Sequence, residues 1–239
     1  MNSRNLVPVS QLAAKKGTKV ILYGKPGTAK TPMVMQLPKA VACVTESGLS
    51  SVANCKMASY GCFDFKSIKE FFAWFLNPAS KDVYQFQTLI IDSLSKLCDI
   101  ALQYFQGRNS HGLKAYGEMN DFVMDIVEKL QKMPNMNVIF NCQMLTEEIN
   151  LPTNLPGVTN TVKYHSPLFP GNKLTSKILH EIDEIWFVKN VQRPQWNLGY
   201  GPAIHTADNA EYMARSRSLV QLDPIEPPDL NYIFRKLNG

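Results

Sequence analysis

A chain of 239 residues, 45% of them apolar, is long enough to bury one sizeable α/β core, and its formal charge of +5 without any long Lys/Arg block permits a nucleic-acid partner without requiring one. Cys43, Cys55, Cys62, Cys98 and Cys142 are odd in number and form no C-x-x-C pair, which argues against a zinc site or a disulfide framework and for reduced, mostly buried thiols. No apolar run approaches a membrane span and Met1 to Leu6 contains no signal-peptide core, so a cytoplasmic protein without a membrane partner is expected.

Residues 1–18 read as a short leader and 19–239 as a single domain. The apolar run from Lys19 to Tyr23 has strand character and leads into Gly24-Lys25-Pro26-Gly27-Thr28-Ala29-Lys30-Thr31, close to the order of a phosphate-binding P-loop. Gly24 and Gly27 let the backbone bend so that successive N–H groups face inward toward a phosphate at a helix N-terminus. Lys30 would reach the β- and γ-phosphates, and the Thr31 hydroxyl would take one position on Mg²⁺. ATP and Mg²⁺ are the cofactors this implies. Ala29 stands where the usual pattern has a further glycine, and Pro32 removes an N–H, so weaker nucleotide binding than in a full consensus loop is expected.

The helix after the loop is short, because Pro38 closes it, and Ala40 to Thr45 resumes as a second apolar strand. Glu46, at the carboxyl end of that strand, occupies the crevice side of an open α/β sheet and is a candidate general base; the alternative is a solvated Glu in a loop. Ser67 to Leu76 reads as a helix opened by a Ser67/Glu70 capping box. Thr88 to Ser93 has the form of a strand ending in a metal-binding carboxylate, Asp92, although Asp also caps helices at this position. A helix follows from Leu94 to Phe105. A basic, glycine-containing loop between Gln106 and Gly117 carries Arg108 and Lys114, and either contacts a phosphate backbone or is simply solvated.

Met119 to Leu130 forms the cleanest helical stripe, and Asn137 to Gln143 is a fourth buried strand ending in amides. Gln143 can sense a γ-phosphate and relay its presence to the segment that follows. That segment, 144–172, is predicted as a long functional loop. Lys163, Tyr164, His165, Phe169 and Lys173 interleave cations and aromatics in it, as suits single-stranded nucleic acid. Glu184 to Lys189 reads as another strand, and Gly201 to Ser218 as a C-terminal hairpin with Asp208-Asn209 at its turn. Its second arm carries Arg215 and Arg217, either surface charges or fingers reaching a neighbouring subunit's γ-phosphate. Asp229 caps a last helix.

The order of these parts resembles the core of RecA-like P-loop ATPases: a P-loop, Glu46 after the next strand, Asp92 after the third, Asn141-Cys142-Gln143 before a long segment, and Arg215-Ser216-Arg217. More narrowly it is similar to small phage AAA-domain nucleotide-binding proteins that act as core-only single-strand annealing recombinases. The resemblance implies an α/β fold with a mostly parallel central sheet, flanking helices and a C-terminal β-hairpin. It implies an ATPase that binds single-stranded DNA, assembles with itself into filaments or rings with ATP at the interfaces, acts in the host cytoplasm if phage-encoded, and can recruit a single-strand-binding protein. By position it gives Glu46 the base role, Gln143 the switch role, Arg215 and Arg217 the interface role and 144–172 the DNA role. The competing reading is an AAA-type protein-remodelling or interaction switch with no DNA partner.

Overall fold

The most apolar runs of the sequence are its inner parallel strands, buried on both faces as such strands require, while the edge strand 58–61 is exposed. The computed structural model describes residues 17–48, 50–109, 111–152 and 159–238. The expected leader therefore lies outside them but for its last two residues, as do Leu49 and part of the 144–172 segment. In chain order the elements are β1 (Lys19–Gly24), α1 (Lys30–Val34), β2 (Ala40–Val44), β3 (Ala58–Gly61), α2 (Phe65–Phe75), β4 (Thr88–Asp92), α3 (Leu94–Gln106), α4 (Gly112–Lys132) and β5 (Asn137–Cys142). They continue as β6 (Met144–Pro152), β7 (Thr159–Pro167), α5 (Asn172–Glu181), β8 (Glu184–Arg193), β9 (Leu198–His205), β10 (Ile225–Glu226) and α6 (Leu230–Asn238).

The main sheet runs β10-β9-β8-β1-β5-β4-β2-β3, with β8 through β3 parallel and β9 and β10 antiparallel at one edge. β1 is central, and β5 separates it from β4. Register sets Tyr23 beside Cys142, Asp92 beside Asn141, and Val44 beside Asp92, so the carboxyl ends of four strands come level. One face of the sheet packs Tyr23, Phe140 and Phe187 against α2, α3, α4 and α5. The other packs Leu22 and Trp186 against α1 and α6, with Ile233 and Phe234 contributed by α6.

Four expectations need correcting. α2 begins at Phe65, because Asp64 is its N-cap: the Asp64 carboxylate accepts from Ser67 N at 2.7 Å, and Ser67 Oγ accepts from Asp64 N at 3.2 Å. Ser67 is thus the far member of the box rather than the cap. α4 begins at Gly112, so Lys114 and Tyr116 are helical and not in a loop. Where a loop is expected over 144–172, the described residues hold two strands: β6 and β7 pair antiparallel from Met144–Pro167 to Pro152–Thr159, forming a separate two-stranded sheet. The C-terminal hairpin is built from β8 and β9, turning at Pro194–Asn197, where Asn197 adopts a left-handed φ of 55°. Residues after Asp208 do not run back along β9. They cross to the start of β8, where Arg215 and Ile185 exchange both backbone hydrogen bonds at 2.8 Å.

Candidate nucleotide site

The turn after β1 is shaped by its neighbours as much as by any ligand. A Cβ on Gly24 would stand 2.3 Å from the Val188 carbonyl oxygen, so pairing with β8 alone demands glycine there. Gly27 has φ +81° with open space where a side chain would be. Ala29 sits at φ 59°, ψ 27°, a left-handed conformation that costs an L-residue about 1–2 kcal/mol and that glycine would adopt freely. The chain thus keeps the loop's backbone path despite the substitution. Lys30 folds back over it, donating from Nζ to Gly24 O at 2.7 Å and Lys25 O at 3.0 Å. Burial pushes its pKa below the ordinary lysine value, with Asp92 pulling the other way.

Asp92 ends β4, 5% exposed. It accepts from Thr31 Oγ1 at 2.9 Å on one oxygen and from Asn141 Nδ2 at 2.5 Å on the other. Burial nevertheless raises its pKa above the usual carboxylate range, outweighing both hydrogen bonds. Asn141 Oδ1 is buried and has no partner among the described residues. A carboxylate, an unpartnered amide oxygen and a hydroxyl gathered beside a loop of main-chain N–H groups form an all-oxygen donor set suited to a hard cation and a phosphate. ATP with Mg²⁺ fits this chemistry. Asp92 is also free of the alternative duty foreseen for it, because Ser93 is the N-cap of α3, accepting from Lys96 N at 3.2 Å.

Beside Asp92 stands Glu46, whose Oε1 accepts from Ser93 Oγ at 2.5 Å and from Gln143 Nε2 at 3.0 Å. The two residues singled out as base and sensor are therefore in direct contact. Thr45 locks the same corner: its N–H donates to Asp92 O, its hydroxyl donates to Ser93 O at 2.9 Å and accepts from Ser93 N at 2.8 Å. Gln143 is fastened at its backbone to the foot of the β6–β7 hairpin. Its N–H donates to Ser95 Oγ at 3.0 Å, Ser95 Oγ donates to Leu168 O at 2.6 Å, and Leu168 N donates to Gln143 O at 2.9 Å. Gly24, Pro26, Gly27, Ala29, Lys30, Thr31, Glu46, Asp92, Asn141 and Gln143 all line one cleft of about 690 Å³. Thr28 closes the loop from within, its hydroxyl donating to Lys25 O at 2.8 Å.

Thr45, Ser93 and Ser95 were not foreseen. For Thr45 and Ser93 the only sequence signal is a hydroxyl next to an acid at a strand end, and Ser95, in the first turn of α3, carries none; the partners become visible only once the register of β2, β4 and β5 is known.

The remaining candidates lie elsewhere. Arg215 does not project: its Nη2 donates to the carbonyls of Leu179 and Ile182, and so closes the C-terminal turn of α5. The protruding Arg215/Arg217 arm is thus replaced by a segment laid against β8. Arg217 is freer, with a guanidinium 3.6 Å from Asp183 and a side chain 44% exposed. Both arginines stand at the amino-terminal end of β8, whose register with β1 sets Glu184 beside Val20 and Val188 beside Gly24, so they lie at the end of the sheet away from their own P-loop.

Phe169 is 6% exposed and packed in the larger core, so it is no stacking platform for a base. Lys163 and Lys173 are exposed, and Tyr164 is half-buried with its hydroxyl on Asp208. Arg108 donates to Tyr104 Oη at 2.6 Å, and Lys114 lies 3.8 Å from Glu118 one turn on.

Fold and cleft together define a P-loop nucleotide-binding protein built on a mostly parallel central sheet. The chain matches the family model described as AAA domain over residues 16–218, and it belongs to that family. No curated protein matches it. Among solved structures it is similar to the RadB recombinase, with a TM-score of 0.44 and 15% identity over 95% of this chain and 99% of that one. It is also similar to the flagellar accessory protein FlaH from Methanocaldococcus jannaschii, with a TM-score of 0.42 and 12% identity over 91% and 88%.

Proposed function

We propose that the protein is an ATP-dependent single-stranded-DNA-binding protein of strand annealing or recombination, which hydrolyses ATP at contacts between its own copies. The observation that carries this reading is the double attachment of Gln143, whose side chain donates to Glu46 while its backbone is tied to the foot of the hairpin. A change at the phosphate end of the cleft therefore bears directly on the segment offered to DNA.

In this reading the P-loop amides and Lys30 hold the triphosphate, and Thr31, Asp92 and Asn141 hold the metal. Mg²⁺, when bound, neutralises phosphate charge. Glu46 takes a proton from the attacking water through the carboxylate oxygen that Ser93 and Gln143 leave free, and Ser93 keeps the carboxylate aimed. Arg217 serves a neighbouring copy, since its own P-loop is at the far end of the sheet.

Fluorescence anisotropy of a labelled single-stranded oligonucleotide tests the proposal. Mg-ATP should tighten binding, added salt should weaken it steeply, and Lys30→Ala should abolish the nucleotide effect. Binding that ignores both nucleotide and salt would leave the protein-remodelling alternative as the better account.

A further inference from the structure

Outside the cleft, cations from three separate elements converge beside the P-loop. Lys25 is exposed and is not part of the cleft lining, although it lies within the loop between Gly24 and Gly27. Because β1 and β8 pair with Gly24 beside Val188, the next residue of each, Lys25 and Lys189, leaves the pairing at the same level. Lys189 lies two residues beyond Phe187 and hence on the same face of β8. On that face the Phe187 ring stacks on the His165 imidazole at 5.8 Å. His165 and Lys163 in turn share one face of β7.

The Tyr23 hydroxyl clamps this junction, donating to Met213 O at 2.5 Å and lying 3.0 Å from His165 O. Burial and then Lys25, Lys189 and Lys163 all push the His165 imidazole below its ordinary pKa, as expected where the three ammonium groups surround it. The acids facing the cluster are Glu211, 3.2 Å from Lys189, Glu148, opposite Lys163 in the hairpin register, and Asp208, engaged by Tyr164 and by Ala214 N. Among the described residues neither Lys25 nor Lys163 has an ion pair.

We infer that Lys25, Lys189 and Lys163 form a track for the phosphate backbone of single-stranded nucleic acid, running from the rim of the P-loop onto one face of the β6–β7 hairpin. The inference rests on the DNA-binding reading above and adds to it where the strand lies. Lys25 and Lys163 carry charge with no ion pair among the described residues, Lys189 would exchange its exposed pairing with Glu211 for a phosphate, and only phosphate contacts, not base contacts, are required of lysines. Lys25 gives the track a second link to nucleotide. Any rearrangement of the loop around a triphosphate moves one of the three cations that the strand would meet, independently of Gln143.

The test uses a labelled deoxythymidine homopolymer in Mg-ATP, titrated over a range of salt with the full chain and a Lys163→Gln/Lys189→Gln double variant. Both lysines are on the surface, and equal thermal midpoints and equal nucleotide affinity check that the variant is folded. Removal of two single-strand phosphate contacts should lower affinity roughly 25-fold at about 0.1 M salt and make the log–log salt slope shallower by about 1.4. Adding Lys25→Gln should lower both further. Wild-type binding with affinity and slope unchanged in the double and triple variants would overturn the track while leaving DNA binding intact. Tight binding of polyglutamate with none of the homopolymer would overturn it in favour of an acidic protein partner. A wild type that binds neither would remove the DNA-binding reading itself, and the track with it.

Discussion

The two ends of the central sheet each bury a carboxylate, and they treat it in opposite ways. At the amino-terminal end of β8, Glu184 is 1% exposed and fully engaged. Its Oε1 accepts from Ser218 Oγ at 2.8 Å, Ser216 Oγ at 3.0 Å, and the N–H groups of Arg217 and Ser218 at 3.2 Å, while Oε2 accepts from Trp186 Nε1 at 2.9 Å. At the cleft end Asp92 has two donors, a raised pKa and an unpartnered amide oxygen beside it. The saturated acid stitches a chain segment in place. The under-satisfied one is held at a cost that a bound cation would relieve, and in the proposed function that difference separates a structural carboxylate from a working one.

Arg217 is where the comparison is most exposed to failure, because it is the half-free charge at the structural end. If it serves a neighbour's nucleotide, Arg217→Ala should lose about a thousandfold in turnover with nucleotide binding kept. Mixing it with Glu46→Ala should restore activity in sites formed by one intact half of each, whereas silence on mixing would return Arg217 to its pairing with Asp183. Asp92→Asn should cost at least about a hundredfold in ATP turnover. Because the folded Asp92 binds its proton more tightly than the unfolded chain does, its ionisation weakens the fold as pH rises through the folded pKa. The variant should therefore be at least as stable as wild type at neutral pH, and the advantage should vanish below the ordinary carboxylate range. Loss of stability at neutral pH without loss of turnover would reverse the assignment.

Glu184→Gln should behave in the opposite manner. It should unfold more easily by about 2–3 kcal/mol, since an amide sets its own donors against those already there, and a calorimetric titration should find nucleotide affinity unchanged. The smallest effect expected is that of Ser93→Ala. Turnover should fall about tenfold as Glu46 loses one of its two donors, with about 1 kcal/mol of stability lost through the α3 cap. Ser93→Thr should recover most of both.

Much of this was legible in the chain. Val20–Tyr23, Ala40–Val44, Leu89–Ile91 and Val138–Phe140 are unbroken apolar runs at the centres of their strands, the pattern a buried parallel strand leaves. The P-loop spacing and the acids at strand ends located the cleft, because strand ends in such a sheet are where ligands sit. The hairpin was hidden by composition: Pro, Gly, Asn and Thr around 153–158 read as loop, while Thr146–Ile149 and Val162–His165 pair through backbone groups that any residue offers. Arg215 was misjudged for a different reason. Whether an arginine is free or committed depends on carbonyls at Leu179 and Ile182, more than thirty residues away, and no local pattern announces them. Asp64 displaced Ser67 as a cap because both residues have capping chemistry, and only the backbone chooses between them.

The central claim is that main-chain amides after β1, together with Lys30, Thr31, Asp92 and Asn141, hold a magnesium-bound nucleoside triphosphate. An isothermal titration of the full chain with Mg-ATP, repeated with metal chelated and with Lys30→Ala, tests it most directly. The expected result is saturable binding at one site per chain, weakened without metal and lost in the variant. A heat-silent titration, or an affinity indifferent to both the metal and Lys30, would contradict it.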